Sequence, residues 1–499
     1  MEMIVQVLGS LFHPLALGVN IFGVVLGIIF GAMPGLNGVV GVALLLPLTY
    51  GLSPANGLMM LGGLYMGATY GGSISAILLN CPGTGEAACT ALNGNPLARQ
   101  GRAMEALSYS ALSSGIGGMF GTLVMLFFTP VLAKMALKFG PPELFLVCLA
   151  GLAVVGSLVD KSMAKGFFAV GVGLVLSMVG MDTMSSNYRF TFGSADLQAG
   201  LNLIPVSVGF FAIAEMLDLM SQSGENGEIC SELKPFSVRE AFAGCLSRWW
   251  VILKSSVIGT IIGILPGTGG AIASFIAYGE AKRTSKEGAL FGKGSIDGIV
   301  APESANNAAV GGSFVPLMSL GIPGSATSAI IFGALTVHGL IPGPRLFVNN
   351  ADVVYTMMLG LVLSVVFMVI IGLGGVKFFA KVLKIDKKVI VPAVLAFSLI
   401  GAYSARNSMF DVLVAIVFGV AGLVCKRAKI PVAPIILGMI LGTMAEENLR
   451  RAMTIASAKS LSLVGYIVMR PVSLVVLALV VLLIAGNVYS SCKQRKAKN

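Results

Sequence analysis

Apolar runs long enough to cross a bilayer recur along this 499-residue chain and constrain its fold more than any other feature. The last of them, "PVSLVVLALVVLLIAGNV" at 471–488, contains no charged residue, and about 20 apolar residues span a hydrocarbon core. The composition agrees, with 56% hydrophobic residues, 11% charged residues and a mean hydropathy of +0.91. A soluble domain has about a quarter of its residues charged. The sequence therefore predicts an all-α polytopic membrane protein, because helices satisfy their own backbone groups in lipid.

Several other classes of function are disfavoured by residue counts and spacing. The chain has two histidines and seven cysteines without a CxxC pair, so no metal centre and no cofactor are predicted. The net charge of +11 lies at segment ends and in the tail "KQRKAKN", as membrane orientation requires, and does not indicate nucleic acid. The first ten residues lack Lys and Arg, so no cleavable signal is expected. The stretch "GALFGKGS" at 288–295 has the wrong spacing for a phosphate-binding loop.

An internal duplication follows from two pairs of similar phrases in the same order. "GAMPGLNG" at 31–38 pairs with "GILPGTGG" at 263–270, and "GGSISAILLNCPG" at 71–83 pairs with "GGSFVPLMSLGIPG" at 311–324. We predict a first transmembrane repeat at 14–220, a cytoplasmic linker at 221–249 and a second repeat at 250–450. A C-terminal transmembrane helix at 463–490 and a basic cytoplasmic tail at 491–499 follow.

The distribution of basic residues predicts that the two repeats have inverted topology. The loop at 51–56 has no Lys or Arg, whereas its counterpart around 282–293 has four. Cytoplasmic loops collect such residues, so matching loops lie on opposite sides of the membrane. This assignment places the N-terminus outside and the C-terminus inside.

The duplicated Pro-Gly phrases predict helix breaks within the membrane. Proline removes a backbone donor and glycine adds flexibility. A single such break is often only a kink or a close packing contact. Breaks at equivalent positions in inverted repeats instead indicate a transporter, in which unwound backbone lines a binding site. The predicted breaks are at Pro34, Pro82, Gly83, Pro266, Pro323 and Gly324.

One run, "APESANNAAVGGS" at 301–313, is unusually polar for an apolar segment. Glu303, Asn306 and Asn307 are costly to bury in a membrane and need partners or a task. Two interpretations remain open: a polar loop with a helix cap near Ser304, or amides that orient carboxylates or coordinate sodium.

These motifs resemble those of one transporter family. "GAMPGLNGVVGVALLLPLTYG", "YGGSISAILLNCPGTGEAACTALNGNPLARQG", "GILPGTGGAIASFIAYGEAKR" and "FGKGSIDGIVAPESANNAAVGGSFVPLMSLGIPGSATSAIIFGAL" resemble the large permease subunit of the tripartite tricarboxylate transporters, the TctA family. The resemblance covers 19–451. It implies a multi-pass protein of the bacterial inner membrane that imports citrate or a related di- or tricarboxylate by sodium or proton symport. It also implies a small membrane subunit and a periplasmic substrate-binding protein as partners.

On this resemblance we assign candidate roles to the polar residues of the motifs. The expected substrate-binding residues are Thr84, Gly85, Asn306, Asn307, Ser325 and Thr327. Carbonyls near Gly35, Asn37, Gly267 and Thr268 are expected to hold sodium. The two roles can be interchanged without contradicting the sequence. Alternating access, with an elevator-like motion favoured, would move this core against the remaining helices.

Three rival functions stay open from the sequence alone. An anion channel would use similar rings of carbonyls. A membrane-embedded enzyme would need reactive groups, for which the candidates near membrane segments are Glu86, Glu215, Asp218 and Glu303. A purely structural scaffold would not need duplicated polar breaks.

Overall fold

The computed structural model describes residues 2–33, 35–157, 163–182, 184–221, 236–383, 385, 387–478 and 481. Over these residues the chain is helical apart from loops and one short hairpin of two strands, which confirms the predicted all-α class. The predicted break at Pro34, most of the predicted linker and the tail at 491–499 lie outside the described residues. The predicted last helix at 463–490 is helical at 463–468 and 471–478, with an interruption at 469–470.

The first half of the chain contains eleven helices and the two strands. In chain order these are α1 (Glu2–Leu11), α2 (Pro14–Ala32), α3 (Gly38–Leu45), α4 (Pro54–Leu79), α5 (Ala88–Leu97), α6 (Ala103–Ala136), α7 (Pro141–Ser157), α8 (Met163–Ser177), β1 (Gly180–Met181), β2 (Tyr188–Arg189), α9 (Ala195–Gln198), α10 (Leu203–Ser207) and α11 (Ala214–Ser221). The strands pair antiparallel, with Gly180 opposite Arg189. A π-helical turn at Ala98–Arg102 joins α5 to α6, and another at Val208–Ile213 joins α10 to α11.

Among the described residues, the second half contains twelve further helices besides the helical residues at 471–478. They are α12 (Val238–Ser247), α13 (Trp249–Ile264), α14 (Gly269–Thr284), α15 (Asp297–Leu320), α16 (Ala326–Val337), α17 (Leu346–Asn349), α18 (Ala351–Gly374), α19 (Val376–Val382), α20 (Lys387–Ser404), α21 (Met409–Arg427), α22 (Ala433–Ala458) and α23 (Leu463–Val468). Two 3₁₀ turns, at Leu46–Gly51 and Gly288–Leu290, complete the helical elements.

Several helices of the described chain are long and apolar enough to cross a membrane. There are five such spans: Pro14–Ala32, Ala88–Ala136, Leu203–Ser221, Ala351–Gly374 and Met409–Arg427. A sixth is obtained if α12 and α13, which are bent by 76° against each other, form one span. The protein is therefore a multi-pass membrane protein.

The same order of elements occurs in both halves. A broken helix, α2–α3 or α13–α14, precedes a helical hairpin, α4–α5 or α15–α16. Each hairpin is followed by a long apolar helix, α6 or α18. This order agrees with the duplication that the motifs predict, while the inverted topology of the repeats stays a prediction.

Two helices, α4 and α15, form the centre of the molecule. Every residue from 57 to 78 of α4 and from 297 to 319 of α15 is buried. A helix that is buried on all sides must be surrounded by other helices, and here these come from both halves. Helix α4 packs against α2 and α18, whereas α15 packs against α13 and α6. A second apolar cluster lies between α7, α8 and α22.

Glycines allow the surrounding helices to approach the two central ones at backbone distance. Cβ atoms built on Gly23, Gly27 and Gly31 of α2 would lie 2.1–2.2 Å from carbonyl oxygens of α4. Cβ atoms on Gly259 and Gly263 of α13 would lie 2.1–2.4 Å from carbonyl oxygens of α15. Small residues at helix crossings are the usual means of tight packing in membranes. Both broken helices are thus fixed against the hairpin of their own half.

The polar run at 301–313 lies entirely within α15. The interpretation of this run as a polar loop with a cap near Ser304 is therefore wrong, since Ser304 is buried and its hydroxyl donates to the Val300 carbonyl at 2.8 Å. The helix tolerates Pro302 and Pro316 in its interior. Its buried polar side chains consequently face neighbouring helices.

Candidate functional site

Each half contains one helix break with glycine in a left-handed backbone conformation. In the first break Gly35 has φ +85°, and in the second Gly267 has φ +77°. L side chains rarely adopt such angles, so glycine is required at both positions. The chain resumes as α3 after Asn37, whose Oδ1 accepts from Val40 N at 3.0 Å. In the second break, which contains Pro266, the Thr268 hydroxyl donates to the Leu265 carbonyl at 2.9 Å.

Each half also contains one hairpin tip. Tip 1 is the loop at 80–87 between α4 and α5, and it contains Pro82, Gly83, Thr84 and Gly85. Tip 2 is the loop at 321–325 between α15 and α16, and it contains Pro323, Gly324 and Ser325. The preceding helices end in the same way, with Asn80 at φ 54° and Gly321 at φ 75°.

Each tip lies directly on the break of its own half. A Cβ on Gly83 would be 1.9 Å from the Gly31 carbonyl oxygen, and a Cβ on Gly324 would be 2.5 Å from the Gly263 carbonyl oxygen. In the second half Gly267 N also donates to the Gly324 carbonyl at 3.0 Å. Tip and break are about fifty to sixty residues apart in the sequence, and the fold packs them directly against each other.

Tip 2 also contacts the first half. The Tyr65 hydroxyl of α4 and the Ser325 hydroxyl are 3.0 Å apart. Ser325 caps α16 through a reciprocal pair with Ser328, in which each side-chain oxygen accepts from the backbone N–H of the other residue. The Thr327 hydroxyl lies 3.8 Å from the position that a Cβ would take on Gly38. The N-termini of α3 and α16 therefore lie next to each other, with hydroxyl groups between them.

Tip 1 makes the corresponding contact with the second half. A Cβ on Gly270, at the start of α14, would lie 2.9 Å from Glu86 Cγ and 2.6 Å from Asn306 Oδ1. A Cβ on Gly85 would lie 4.0 Å from Ala271 Cβ. The start of α14, tip 1 and Asn306 of α15 consequently meet at one place.

Asn306 and Asn307 each have an unused hydrogen-bond acceptor. Both residues are at most 1% exposed, and neither Oδ1 has a partner among the described residues. Their amide nitrogens are engaged, with the Thr69 carbonyl at 3.4 Å and the Glu303 carbonyl at 3.2 Å. A buried acceptor without a partner costs about 1–3 kcal/mol. A cation or a ligand hydroxyl would remove that penalty.

The chemistry of this region suits an anion together with a cation. The N-termini of α3, α14 and α16 carry partial positive charge, which favours the binding of carboxylate groups. The hydroxyls of Tyr65, Ser325 and Thr327 can donate to the same group. The two asparagine oxygens are ligands for a hard cation.

The structure brings most of the predicted site residues together. Asn37, Ser325 and Thr327 lie near the start of α3, whereas Gly85, Thr268 and Asn306 lie near the start of α14. Two predicted residues face elsewhere. The Thr84 hydroxyl accepts from Ala87 N within its own loop, and Gly35 lies against Leu219 of α11.

Two residues of the region were not predicted from the sequence: Tyr65 and Glu86. A signal for Tyr65 was present, because Tyr65, Thr69 and Ser73 are spaced four apart and lie on one face of α4. Glu86 was considered only as a reactive group of an enzyme. Its contact with Gly270 depends on the tertiary approach of tip 1 to α14.

Comparison with known proteins supports the relation that the motifs suggest. The chain is 37% identical over 469 residues to an uncharacterized 52.8 kDa protein in the TAR-I ttuC' 3' region of Agrobacterium vitis, covering 94% of this chain and 93% of that protein. It is 40% identical over 198 residues to an uncharacterized protein in the TAR-II ttuC' 3' region of the same organism, covering 40% of this chain and 82% of that protein. No solved structure matches the chain. The profile of the Tripartite tricarboxylate transporter TctA family matches residues 17–437, so the chain belongs to the TctA family.

Proposed function

We propose that this TctA-family protein is the permease subunit of a binding-protein-dependent secondary transporter that imports citrate or a related di- or tricarboxylate. Uptake is coupled to a sodium or proton gradient across the bacterial inner membrane. The observation that carries the proposal is the meeting of two helix breaks and two hairpin tips between α4 and α15.

The substrate carboxylates are bound by the two places at which a tip meets a helix start. Amides at the start of α3 and α16, with the hydroxyls of Ser325 and Thr327, bind one group. Amides at the start of α14, with Gly85 of tip 1, bind another. Two separate anion sites favour a substrate with more than one carboxylate, because each helix N-terminus stabilises one negative group.

A coupling cation has candidate ligands in the same region. Asn306 Oδ1 and Asn307 Oδ1 are buried acceptors without protein partners. Carbonyls at the two breaks, near Asn37, Gly267 and Thr268, supplement them if sodium is the coupling ion. A cation next to the anionic substrate would offset its charge, so the two would bind cooperatively.

Alternating access then requires the unit of breaks and tips to move as a whole. Each tip is in backbone contact with its break, and each break is in backbone contact with α4 or α15. Such contacts leave little freedom within the unit and favour an elevator-like motion of the whole core. The small membrane subunit and the periplasmic binding protein are the expected partners, and the N-terminus is expected on the periplasmic side.

A transport assay tests this function. The protein would be reconstituted with its small subunit and binding protein, and uptake of labelled citrate and a panel of mono- and dicarboxylates measured with and without an ion gradient. Gradient-dependent accumulation of one carboxylate is expected. Movement only down the substrate's own gradient would indicate an anion channel, and chemical conversion of the label would indicate an enzyme.

A pair of variants tests the assigned site. Asn306→Leu removes the unpartnered acceptor and is expected to abolish accumulation. Asn448→Leu is the matched control, because within the described part of the chain Asn448 of α22 bonds only the Met444 carbonyl of its own helix, at 2.7 Å. Equal loss of uptake in both variants would contradict the assignment of Asn306.

A further inference from the structure

The carboxyl group of Glu303 lies fully buried where four helices meet. Its side chain is 0% exposed. Ser114 of α6 donates to Oε2 at 2.7 Å, and Ser73 of α4 lies 3.1 Å from the same oxygen. Thr90 of α5 donates to Oε1. The carboxyl of α15 is thus enclosed by hydroxyl groups from α4, α5 and α6.

Glu303 forms none of the ion pairs found between described residues, which join other carboxylates to Lys or Arg. The titratable groups on which a charge at Glu303 would act are the Tyr70 hydroxyl of α4 and the Cys89 thiol of α5. The charged residues of the other helices packed around α15 do not pair with Glu303. Glu105 forms an ion pair with Arg102, and Lys254 and Arg283 both form ion pairs with Glu280. Lys134 and Lys282 lie in the last turns of α6 and α14. Helix α16 carries His338 at its C-terminal end, bonded to Thr49.

An ionised carboxylate at this place would be expensive. Burying a charge without an opposite charge costs several kcal/mol, and groups in this situation take up or release a proton instead. Neutral hydroxyls reduce that penalty without removing it. The protonated acid is therefore the form that suits the closed cluster.

The number of hydroxyl hydrogens in the cluster independently favours a protonated Glu303. Ser73 has one hydroxyl hydrogen, and its nearer acceptor is the Tyr70 carbonyl at 2.5 Å. Ser73 also accepts from Ser110 at 2.9 Å. Because Ser73 also donates to Glu303 Oε2 at 3.1 Å, its one hydrogen is shared between two acceptors, and the cluster is one hydrogen short. A protonated Glu303 supplies it.

The position of the cluster connects proton binding with the site described above. Thr90 lies in the first turn of α5, directly after tip 1. Asn307, with its unpartnered oxygen, lies one turn beyond Glu303 and donates to the Glu303 carbonyl at 3.2 Å. The carboxyl therefore joins the arm of tip 1 to the helix that carries both asparagines.

We propose that Glu303 is the proton-binding site through which this protein couples carboxylate uptake to the proton gradient. Glu303 takes a proton from water on the outer side, so that the O–H bond forms and the cluster closes around the neutral acid. On the inner side the O–H bond breaks, the proton leaves to water and the carboxylate remains. This inference rests on the proposed function as a carboxylate transporter.

The test uses Glu303→Gln in the reconstituted three-component system, with membrane potential clamped at zero. Wild-type protein should accumulate its carboxylate about tenfold per coupled proton for an inward gradient of one pH unit. E303Q should show no difference between uptake with and without that gradient. Glu105→Gln, which removes the α6 carboxylate paired with the exposed Arg102, should keep the wild-type ratio.

A second variant keeps the test decisive if E303Q does not fold. Ser114→Ala removes one donor to the carboxyl and leaves α6 otherwise intact. The ionised acid loses a stabilising bond, so the pH midpoint of proton-driven uptake should move upward by about one unit, a tenfold change in proton affinity. A midpoint that stays unchanged, or an E303Q variant that still responds to the pH gradient, would overturn the proposal.

Two further readouts separate this inference from the proposed function. Exchange of labelled for unlabelled carboxylate without any gradient tests transport alone, and its absence in wild type would refute the proposed function. Infrared spectra of the protein in detergent test Glu303 directly, because the carbonyl band of a protonated acid should be present in wild type and missing in E303Q. Identical spectra, or accumulation driven by sodium alone and unaffected by E303Q, would refute proton binding at Glu303.

Discussion

The contact between tip 1 and the first helix break makes Gly83→Ala the most informative structural perturbation. A Cβ on Gly83 would lie 1.9 Å from the Gly31 carbonyl oxygen and 2.8 Å from the Ser75 hydroxyl. Cβ atoms hardly ever come closer than 3.0 Å to another atom, so tip and break must separate by at least 1.1 Å (3.0 − 1.9). Gly31 cannot yield easily, since a Cβ there would lie 2.1 Å from the Ala68 carbonyl oxygen.

The expected destabilisation follows from this required movement. Extra atoms in a well-packed interior raise the free energy of the folded state by about 1–3 kcal/mol. Because the tip would be displaced from the site, carboxylate binding should weaken as well. Gly324→Ala, whose Cβ would lie 2.5 Å from the Gly263 carbonyl oxygen, should have effects in the same direction.

The assay is thermal unfolding in detergent together with the dissociation constant of the transported carboxylate. Gly171→Ala is the control, because no atom lies within 4 Å of a Cβ at this position of α8. Alanine is favoured over glycine in a helix by about 1 kcal/mol, so this variant should unfold at the same or a higher temperature. If Gly83→Ala unfolds like wild type and binds equally well, the tip is not held by the break.

Three further predictions concern other polar contacts. Tyr65→Phe removes the hydroxyl that contacts Ser325. Losing one hydrogen bond of about 1 kcal/mol should raise the dissociation constant of the carboxylate roughly fivefold. Tyr50→Phe is the control and should leave this constant unchanged, because it removes a hydroxyl without a partner among the described residues. A backbone bond from Met184, with bonds from Ser185 and Arg450, holds the pKa of the Asp182 carboxyl below its usual range. The ionised Asp182 carboxyl stabilises the fold fully above its unfolded-state pKa of about 4, and this stabilisation is lost as pH falls towards its lower folded-state pKa. Asp182→Asn should therefore lower the unfolding temperature at pH 7 and make the unfolding temperature less dependent on pH in acid. Arg470→Ala leaves the fully buried Glu143 without its ion-pair partner at 2.6 Å. Unfolding should become easier by about 3 kcal/mol, the low end for such pairs because Arg470 is 32% exposed, and adding Glu143→Gln should restore part of the loss.

The sequence was sufficient to predict membrane helices and the positions of the breaks. Uncharged apolar runs leave a chain no other means of satisfying its backbone in lipid. Gly35 and Gly267 adopt backbone angles that only glycine tolerates readily, so the local sequence is enough to predict where the helices unwind. The paired hairpin tips follow from the same duplicated pattern.

The residue-level site was predicted less completely. Ser325 and Thr327 were identified from a local motif, and both lie at a helix start next to the other half. Tyr65 was missed, because its role depends on a partner 260 residues away in the chain. Thr84 was expected at the substrate, yet its hydroxyl accepts from Ala87 N of its own loop.

The sequence by itself determined that the chain is helical, lies in a membrane and breaks its helices at two duplicated positions, because helix periodicity, apolar length and glycine conformation are local properties. Only the tertiary structure decided that each tip rests on the break of its own half and that Glu303 is enclosed by hydroxyls of three other helices. Such contacts join residues that are far apart in sequence. Their geometry is set by how closely the glycine-containing faces of α2, α6 and α13 approach α4 and α15.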